Sequence, residues 1–302
     1  MQNMASAATV KSVGDVVYAV NRSNSAFAMV LTHREGVGSY RGLVRKHSTA
    51  FITFMRTVLH VIESDLDCKN YHLRVVAGME RPPPQKAGCP DAPWQDDSPL
   101  MAAVKQAGFY ISAFGQDNAR KGEPADTECL FKLDAPIDFT DKSGKHIVLP
   151  VTQRDIIVKE GDATRCCLDA QGRPVYVVVF KRFVRYQSEC TDDEVYQLWS
   201  LALDVIEEKN GPGDHDMFCD MRLNAGSFQN VSHLHLKVWM DPDRFAQNWA
   251  GHAGYEALVA WRQERPKKSL ERTKSRRAPK PTGGRVSPTD SAIPDPSAAA
   301  IP

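Results

Sequence analysis

The fold is decided by residues 224–238, which read Asn224-Ala-Gly226-Ser-Phe-Gln229-Asn230-Val-Ser-His233-Leu-His235-Leu-Lys237-Val. Polar and apolar side chains alternate from His233 onward, and successive side chains of a strand point to opposite faces. The alternation therefore predicts a half-buried strand over Val231–Met240. His233, His235 and Lys237 share its polar face, and the leucines between them face an apolar layer.

The polar face of this strand has the composition of a phosphate-binding surface. An imidazole acts as a nucleophile or as a general acid and base. The positive charge of Lys237 attracts anions and favours the neutral, nucleophilic imidazole. The preceding loop offers backbone N–H groups and polar side chains, so we expect it to bind the substrate. The residues concerned are Asn224, Gly226, Gln229 and Asn230.

Further strands and a helix are predicted around this stretch. Apolar and β-branched runs punctuated by glycine indicate strands at Asp155–Lys159, Thr164–Asp169, Val175–Lys181 and Phe218–Asn224. Thr191 and Glu194 form a capping box, and an apolar stripe follows at helical spacing until Asn210-Gly211-Pro212. We predict an α+β fold with an antiparallel sheet of about five strands and flanking helices. A single closing helix is expected through Phe245, Trp249, Leu258 and Trp261.

Together these residues resemble the signature of the histidine triad (HIT) family, in which an Asn-x-Gly loop leads through Gln-x-Val-x to His-φ-His-φ-His-φ-φ. The resemblance covers residues 145–242, where the elements follow in the family's order. It implies a nucleotide-binding domain that hydrolyses or transfers nucleotidyl groups at the α-phosphate of a nucleotide or nucleotide conjugate. By the same resemblance, His235 attacks phosphorus, and His233 orients it and holds the phosphate.

Three departures from the family pattern keep a second function open. Lys237 stands in place of the third histidine, so the motif is His-x-His-x-Lys. Phe183 lies near the point where hydrolases of the family commonly carry another histidine, and Phe228 stands where glycine would leave room for phosphate. The alternative is a catalytically inactive HIT-like module that binds a nucleotide, an RNA end or a protein partner.

Two simpler interpretations of the histidine pair remain. A metal site would need further ligands, such as His215, Cys219 or Asp241, and no spacing supports one. We therefore expect no metal and no other cofactor. A purely structural pair of histidines on a half-exposed strand is the other interpretation.

The N-terminal half echoes this organisation. A strand is predicted at Ala26–Thr32, an amphipathic helix over residues 50–64 and a strand at Tyr71–Gly78. Local sequences also repeat: Leu59-His-Val-Ile-Glu63 matches Leu203-Asp-Val-Ile-Glu207, and Arg74-Val-Val-Ala-Gly78 matches Arg222-Leu-Asn-Ala-Gly226. The echoes indicate either a diverged internal duplication, with an N-terminal copy that lacks His-x-His, or chance similarity between two helix–strand units.

Charge and composition divide the chain into three parts: an N-terminal α+β region over residues 1–140, the HIT-like domain over 141–264 and a tail over 265–302. The tail holds nine Lys or Arg against three acidic residues, seven prolines and no aromatic residue. Such a composition predicts disorder. The tail either acts as a nuclear localisation signal or makes weak contacts with nucleic acid, or it is a solvated segment without a specific role.

The whole chain has 302 residues, a formal net charge of +1 and 42% hydrophobic residues. This balance excludes a protein that binds nucleic acid by charge along its whole length. No apolar run is long enough to span a membrane, and the N-terminus lacks a secretory pattern. Seven cysteines without a Cys-x-x-Cys pair indicate reduced thiols, so we expect a cytoplasmic or nuclear protein. The oligomeric state does not follow from the sequence.

Overall fold

A ten-stranded antiparallel sheet forms the centre of the fold. The computed structural model describes residues 10–23, 26–34, 39–77, 99–116, 132–140, 144–210, 219–229 and 231–264. The strands described are β1 (Val10–Val13), β2 (Val16–Ser23), β3 (Ala26–His33), β4 (Tyr71–Ala77), β5 (Phe109–Gln116), β6 (Pro136–Thr140), β7 (His146–Thr152), β8 (Ile157–Glu160), β9 (Thr164–Leu168), β10 (Val175–Phe180), β11 (Cys219–Asn224) and β12 (His235–Trp239). The sheet order is β1-β2-β3-β5-β4-β11-β12-β10-β9-β8, and β6 and β7 form a separate hairpin.

Six α-helices are described: α1 (Tyr40–Lys46), α2 (Ser48–His60), α3 (Pro99–Ala107), α4 (Asp192–Asn210), α5 (Pro242–Trp249) and α6 (Ala253–Glu264). A π-helical turn, Val61–Asp65, continues α2, and 3-10 turns lie at Arg154–Ile156, Gln187–Glu189 and Gly226–Phe228. None of the helices in the described ranges combines the length and the apolar content needed to cross a membrane.

One face of the sheet carries the main hydrophobic core. Helices α1 and α2 from the N-terminal half and α4 from the C-terminal half pack on one another there. Tyr40 of α1 contacts Phe51 edge-on at 5.9 Å between ring centroids and the indole of Trp199 at 6.4 Å. All three side chains are fully buried, so the two halves share one core.

The predicted α+β class with an antiparallel sheet is confirmed. Strands β8 to β12 correspond to the five strands expected in the C-terminal half, and five strands of the N-terminal half extend the same sheet. The strand expected over Val231–Met240 is shorter than predicted, because β12 begins only at His235. Just before it, Leu234 N–H donates to the carbonyl of Val184 at 2.7 Å, so the backbone there pairs with a loop.

The predicted capping box begins α4 as expected. Glu194 N–H donates to Thr191 Oγ1 at 3.2 Å, and Thr191 N–H donates to the Glu194 carboxylate at 2.9 Å. The single closing helix is wrong, because α5 and α6 are separate helices. Gly251 lies between them with φ +80°, a left-handed conformation that ends a helix.

The order of elements repeats in the two halves around the β4–β11 pair. Each half has three antiparallel strands, then helical structure (α1 and α2 or α4), then two further strands, with α3 added between the last two in the N-terminal half. The ten-stranded order is mirrored about this pair. Arg74 lies directly opposite Arg222 across it. Such a repeat is what a diverged internal duplication predicts. It makes Arg74 and Arg222 equivalent positions, as the matching local sequences also suggest.

The second face of the sheet differs between the halves. In the N-terminal half it is covered by α3, whose Leu100, Met101 and Val104 form a small buried cluster with Tyr110. The cross-strand partners of Arg74 and Arg222 are Ser112 and Lys237, so Ser112 occupies the position equivalent to Lys237. Two residues earlier, Tyr110 then corresponds to His235. The N-terminal half therefore has an apolar plug where the C-terminal half has its polar face.

The described residues all belong to one compact unit within Met1–Glu264. The tail predicted over residues 265–302 lies outside the described residues. The division that the sequence suggests after residue 140 falls within the β6–β7 hairpin and stays a prediction.

Candidate active site

His235 and Lys237 lie on the polar face of β12 and line a cavity of about 100 Å³. Their neighbours Leu236 and Val238 are buried in the main core on the opposite face, as the alternation predicts. The remaining lining residues come from β9, β10, the β6–β7 hairpin and the loops beside them: Ile137, Phe139, Gln153, Ile156, Cys167, Leu168, Asp169, Ala170, Gln171, Arg173, Val177, Val179 and Val231. The cavity thus joins an apolar wall to a polar end that contains the imidazole.

The orientation of His235 is fixed by a backbone hydrogen bond. Its Nδ1 lies 2.9 Å from the carbonyl oxygen of His233. Because a carbonyl oxygen only accepts, Nδ1 carries the proton, and Nε2 is left with a lone pair. The neutral imidazole held in this way has the tautomer of a nucleophile or general base.

The environment of His235 keeps the ring neutral. Burial lowers the pKa of His235 to about 3, and the positive charge of Lys237 acts in the same direction, while the hydrogen bond to His233 opposes them. The residue is only 5% exposed. At neutral pH the lone pair on Nε2 is therefore available without prior loss of a proton.

His233 lies just before β12 and is fully buried. Its ring packs against Phe183 at 5.9 Å between ring centroids. Burial lowers the pKa of His233 to about 4, and a hydrogen bond with the backbone of Arg182 opposes this effect. His233 is not among the described residues that line the cavity. The structure therefore brings His235 and Lys237 together at the cavity, whereas His233 lies outside its lining.

Lys237 has cations on both sides. Burial lowers its pKa, and Arg173 and Arg222 add to this effect, whereas Asp169 opposes it. Asp169 is itself buried and is paired with Arg173 at 2.7 Å. The polar end of the cavity therefore holds a lysine and an arginine against one carboxylate, which suits an anionic ligand.

The loop after β11 is fastened to the N-terminal half. The side chain of Asn224 makes a hydrogen bond with His72 of β4 at 2.5 Å. Gly226 has φ +57°, and a Cβ there would lie 2.4 Å from Asn70 Oδ1, so only glycine fits. Asn70 Oδ1 also accepts from Ser227 N–H at 2.9 Å. These contacts fix the start of the loop at the seam between the halves.

Gln229 and Phe228, in the rest of the loop, pack against other segments of the protein. Gln229 is fully buried, and its Nε2 donates to the carbonyl of Arg185 at 3.2 Å. Its Oε1 has no hydrogen-bond partner in the described part of the chain. Phe228 packs edge-on against Phe114 at 5.9 Å, away from the cavity lining. Asn230 lies outside the described residues.

One further charged residue near the histidines was not part of the predicted set. Arg165 of β9 shares the face of His235, because both lie opposite Val179. Its side chain is 7% exposed, its Nε and Nη1 have no hydrogen-bond partner among the described atoms, and Glu160 lies 3.7 Å away. Alternation on β9 could have placed Arg165 on this face, but the pairing of β9 with β10 was needed to bring it near the histidines.

A metal centre receives no support from the described residues. Within those ranges, no three His, Cys, Asp or Glu side chains are grouped so that they could hold an ion. Of the ligands considered from the sequence, His215 and the side chain of Cys219 lie outside the description.

Comparisons with known proteins give partial similarities in structure. No protein-family model and no curated protein matches the chain. A solved uridylyltransferase mutant is 13% identical, with a TM-score of 0.43 over 83% of this chain and 90% of its own. An ADP-glucose phosphorylase from Arabidopsis thaliana, solved with bound ADP-glucose, is 8% identical, with a TM-score of 0.42 over 81% of this chain and 80% of its own.

Proposed function

We propose that this protein binds a nucleotide or nucleotide conjugate and hydrolyses or transfers the nucleotidyl group at the α-phosphate, as a HIT-type enzyme. The hydrogen bond from His235 Nδ1 to the carbonyl of His233 is the observation that carries the proposal. It leaves a neutral Nε2 beside Lys237 at the end of a cavity. A positioned neutral imidazole beside a fixed cation is the arrangement that nucleophilic attack on a phosphate ester needs.

The reaction proceeds in two steps. Nε2 of His235 forms a bond to the α-phosphorus, the bond from phosphorus to the leaving group breaks, and the leaving group departs with the electron pair. Water or another hydroxyl-bearing acceptor then attacks the same phosphorus and loses a proton to solvent, the N–P bond breaks, and the imidazole recovers its lone pair. Lys237 stabilises the negative charge that grows on the phosphoryl oxygens during both steps.

A catalytically inactive binding module is the second candidate. The observations that favour it are the 5% exposure of His235 and the cavity volume of about 100 Å³. Ligand sites for drug-sized molecules commonly measure roughly 300–1,000 Å³, so a whole nucleotide would extend beyond this cavity. In this alternative, a nucleotide, an RNA end or a protein partner binds at the same face without turnover.

Turnover and covalent adduct formation separate the two functions. The full chain is incubated with an amine-linked adenylate and with dinucleoside polyphosphates. The release of nucleoside monophosphate and the intact mass of the protein are both measured. We expect turnover and a transient increase in mass by one nucleotidyl group. The His235→Ala variant loses more than about 1,000-fold in kcat, because it lacks the attacking nitrogen.

The matched control is His60→Ala, which removes an exposed histidine at the end of α2. It is expected to keep the wild-type rate. Equal turnover in His235→Ala and wild type would reject the enzyme, and nucleotide binding without turnover or adduct would establish the binding module instead.

A further inference from the structure

A row of three cations crosses the seam between the two halves. Lys237 of β12 lies directly opposite Arg222 of β11, and Arg222 lies directly opposite Arg74 of β4. Residues directly opposite on neighbouring strands project from the same face of a sheet. Neighbouring strands are about 4.8 Å apart, so the three side chains arise within roughly 10 Å. We call Lys237, Arg222 and Arg74 the cation row.

One buried carboxylate holds the two arginines of the cation row in place. Asp220 accepts from Arg74 through two hydrogen bonds of 3.0 Å and from Arg222 through bonds of 3.0 and 2.6 Å. Its side chain is 5% exposed, whereas those of Arg74 and Arg222 are 23% and 35% exposed. The carboxylate therefore lies beneath two guanidinium groups that remain accessible, and positive charge exceeds negative charge along the row.

The cation row begins at the candidate active site. Lys237 lines the cavity beside His235. The guanidinium of Arg222 lies 4.8 Å from the ring centroid of Trp239, the next residue on this face of β12. Arg173, which also lines the cavity, approaches the same indole at 5.7 Å. The cation row thus extends from a position beside His235 to the N-terminal half.

We propose that the cation row binds a phosphate chain that is the leaving group of the reaction. The inference rests on the proposed function and specifies its substrate class: a nucleotide whose α-phosphate continues into further phosphates. When His235 Nε2 bonds to the α-phosphorus, the bond to the bridging oxygen breaks. That oxygen keeps the electron pair and departs on the remaining phosphate chain, whose added charge Lys237, Arg222 and Arg74 stabilise. Water then cleaves the N–P bond and releases the nucleoside monophosphate.

The charge of the cation row distinguishes classes of leaving group. An amine leaving group carries no phosphate beyond the one attacked, so it has nothing for Arg74 to bind. A nucleoside triphosphate releases pyrophosphate, and a dinucleoside polyphosphate releases a nucleotide with its remaining phosphates. Both place negative charge on the row, and the position of Arg74 in the N-terminal half makes that half part of the site.

The test compares two leaving groups in one charge-removal variant. Arg74→Met keeps the Arg222–Asp220 pair, so the buried carboxylate retains a partner. With ATP and diadenosine tetraphosphate as substrates, we expect kcat/KM to fall between about 10-fold and 100-fold, the loss of one charge-assisted hydrogen-bonding group. With an amine-linked adenylate, the change is below about twofold. Arg74→Lys restores part of the polyphosphate rate.

Arg41→Met is the matched control, because it removes an exposed arginine that pairs with Glu207 on the helix-covered face. It is expected to leave all three rates unchanged. A loss of equal size for the amine and polyphosphate substrates, or no loss for either, would overturn the cation row as a leaving-group site. The relative rates of the two polyphosphates identify which source of the phosphate chain is preferred.

Binding of inorganic tripolyphosphate keeps this test separate from that of the proposed function. If the wild-type protein turns over none of the substrates, the proposed enzymatic function is rejected. Calorimetric titration with tripolyphosphate still measures the affinity of the cation row for a phosphate chain. Weaker binding by Arg74→Met than by Arg41→Met supports a polyphosphate site. Equal binding by the two variants rejects it.

Discussion

The two buried histidines give the site a characteristic pH response. In the unfolded chain a histidine has a pKa near 6.5, and in the folded protein burial lowers the pKa to about 4 for His233 and about 3 for His235. Between about pH 6.5 and these lowered pKa values, each histidine is protonated in the unfolded chain and neutral in the folded protein, so unfolding takes up protons. The folded state therefore loses stability as the pH falls below about 6.5, by up to about 1.4 kcal/mol per pH unit for each histidine.

We predict that His235→Gln makes the stability less dependent on pH. Urea unfolding at pH 8.5, 7.5, 6.0, 5.5 and 5.0 measures the free energy of unfolding of both proteins. The slope between pH 6.0 and 5.0 is expected to be smaller in the variant by about 1 kcal/mol per pH unit, because one protonation is removed. Above pH 7 the two slopes are equal, which serves as the internal control. Identical slopes below pH 6 would show that His235 is not neutral in the folded protein.

At the same scale, the sequence could predict the alternation but not the environment of each group. The spacing His-x-His-x-Lys places His235 and Lys237 on one face, and the structure brings both to the cavity. The protonation of Nδ1 depends on the backbone bend between His233 and His235, and the approach of Arg165 depends on the pairing of β10 with both β9 and the distant β12. Such contacts arise from the tertiary fold, and a local pattern carries no information about them.

Among the elements, α3 determines why the two halves differ. It occupies the face of the N-terminal half that corresponds to the candidate site, and its Leu100 is fully buried against that face. We predict that Leu100→Ala lowers the free energy of unfolding by about 2–5 kcal/mol, because it removes a buried side chain and leaves a cavity. The affinity of the folded protein for tripolyphosphate is expected to stay within about twofold of the wild-type value.

Thermal and urea unfolding measure the first effect, and calorimetric titration below the unfolding transition measures the second. The exposed residue Lys105 of the same helix supplies the control, and Lys105→Ala is expected to change stability by less than about 0.5 kcal/mol. Equal stability in Leu100→Ala and Lys105→Ala would contradict the role of α3 as a packed plug.

The elements also show which sequence signals were sufficient. The capping box of α4 and its apolar stripe predicted that helix, because the cap and the periodicity are local. Helix α3 was missed, since it is short and its first two residues belong to the proline-rich stretch 80–100, whose composition indicates a loop. The break at Gly251 was also missed, because apolar residues occur on both sides of it, Phe245 and Trp249 in α5 and Leu258 and Trp261 in α6.

On the scale of the whole molecule, the β4–β11 pair joins the halves into one sheet. Six residues of each strand are paired, and Tyr40 and Phe51 of one half share a core with Trp199 of the other. Because a core shared in this way is lost or kept as a unit, we expect residues 1–264 of the full chain to unfold in one cooperative transition. Four of the five tryptophans, at positions 199, 239, 249 and 261, lie in the C-terminal half, so tryptophan fluorescence reports mainly on that half.

We predict that urea transitions followed by tryptophan fluorescence and by far-ultraviolet circular dichroism coincide in the full chain. The sharper test uses Leu100→Ala, whose lesion lies in the N-terminal half. If the sheet couples the halves, the fluorescence transition moves to lower urea by the same amount as the circular dichroism transition. A fluorescence midpoint that stays at the wild-type value while the circular dichroism signal splits into two steps would show that the halves unfold independently. In that case the seam that carries Arg74 and Arg222 would open without loss of the C-terminal half. Coincident shifts would instead tie the geometry of the cation row to the stability of both halves, because its two arginines are supplied by strands that form and unfold together.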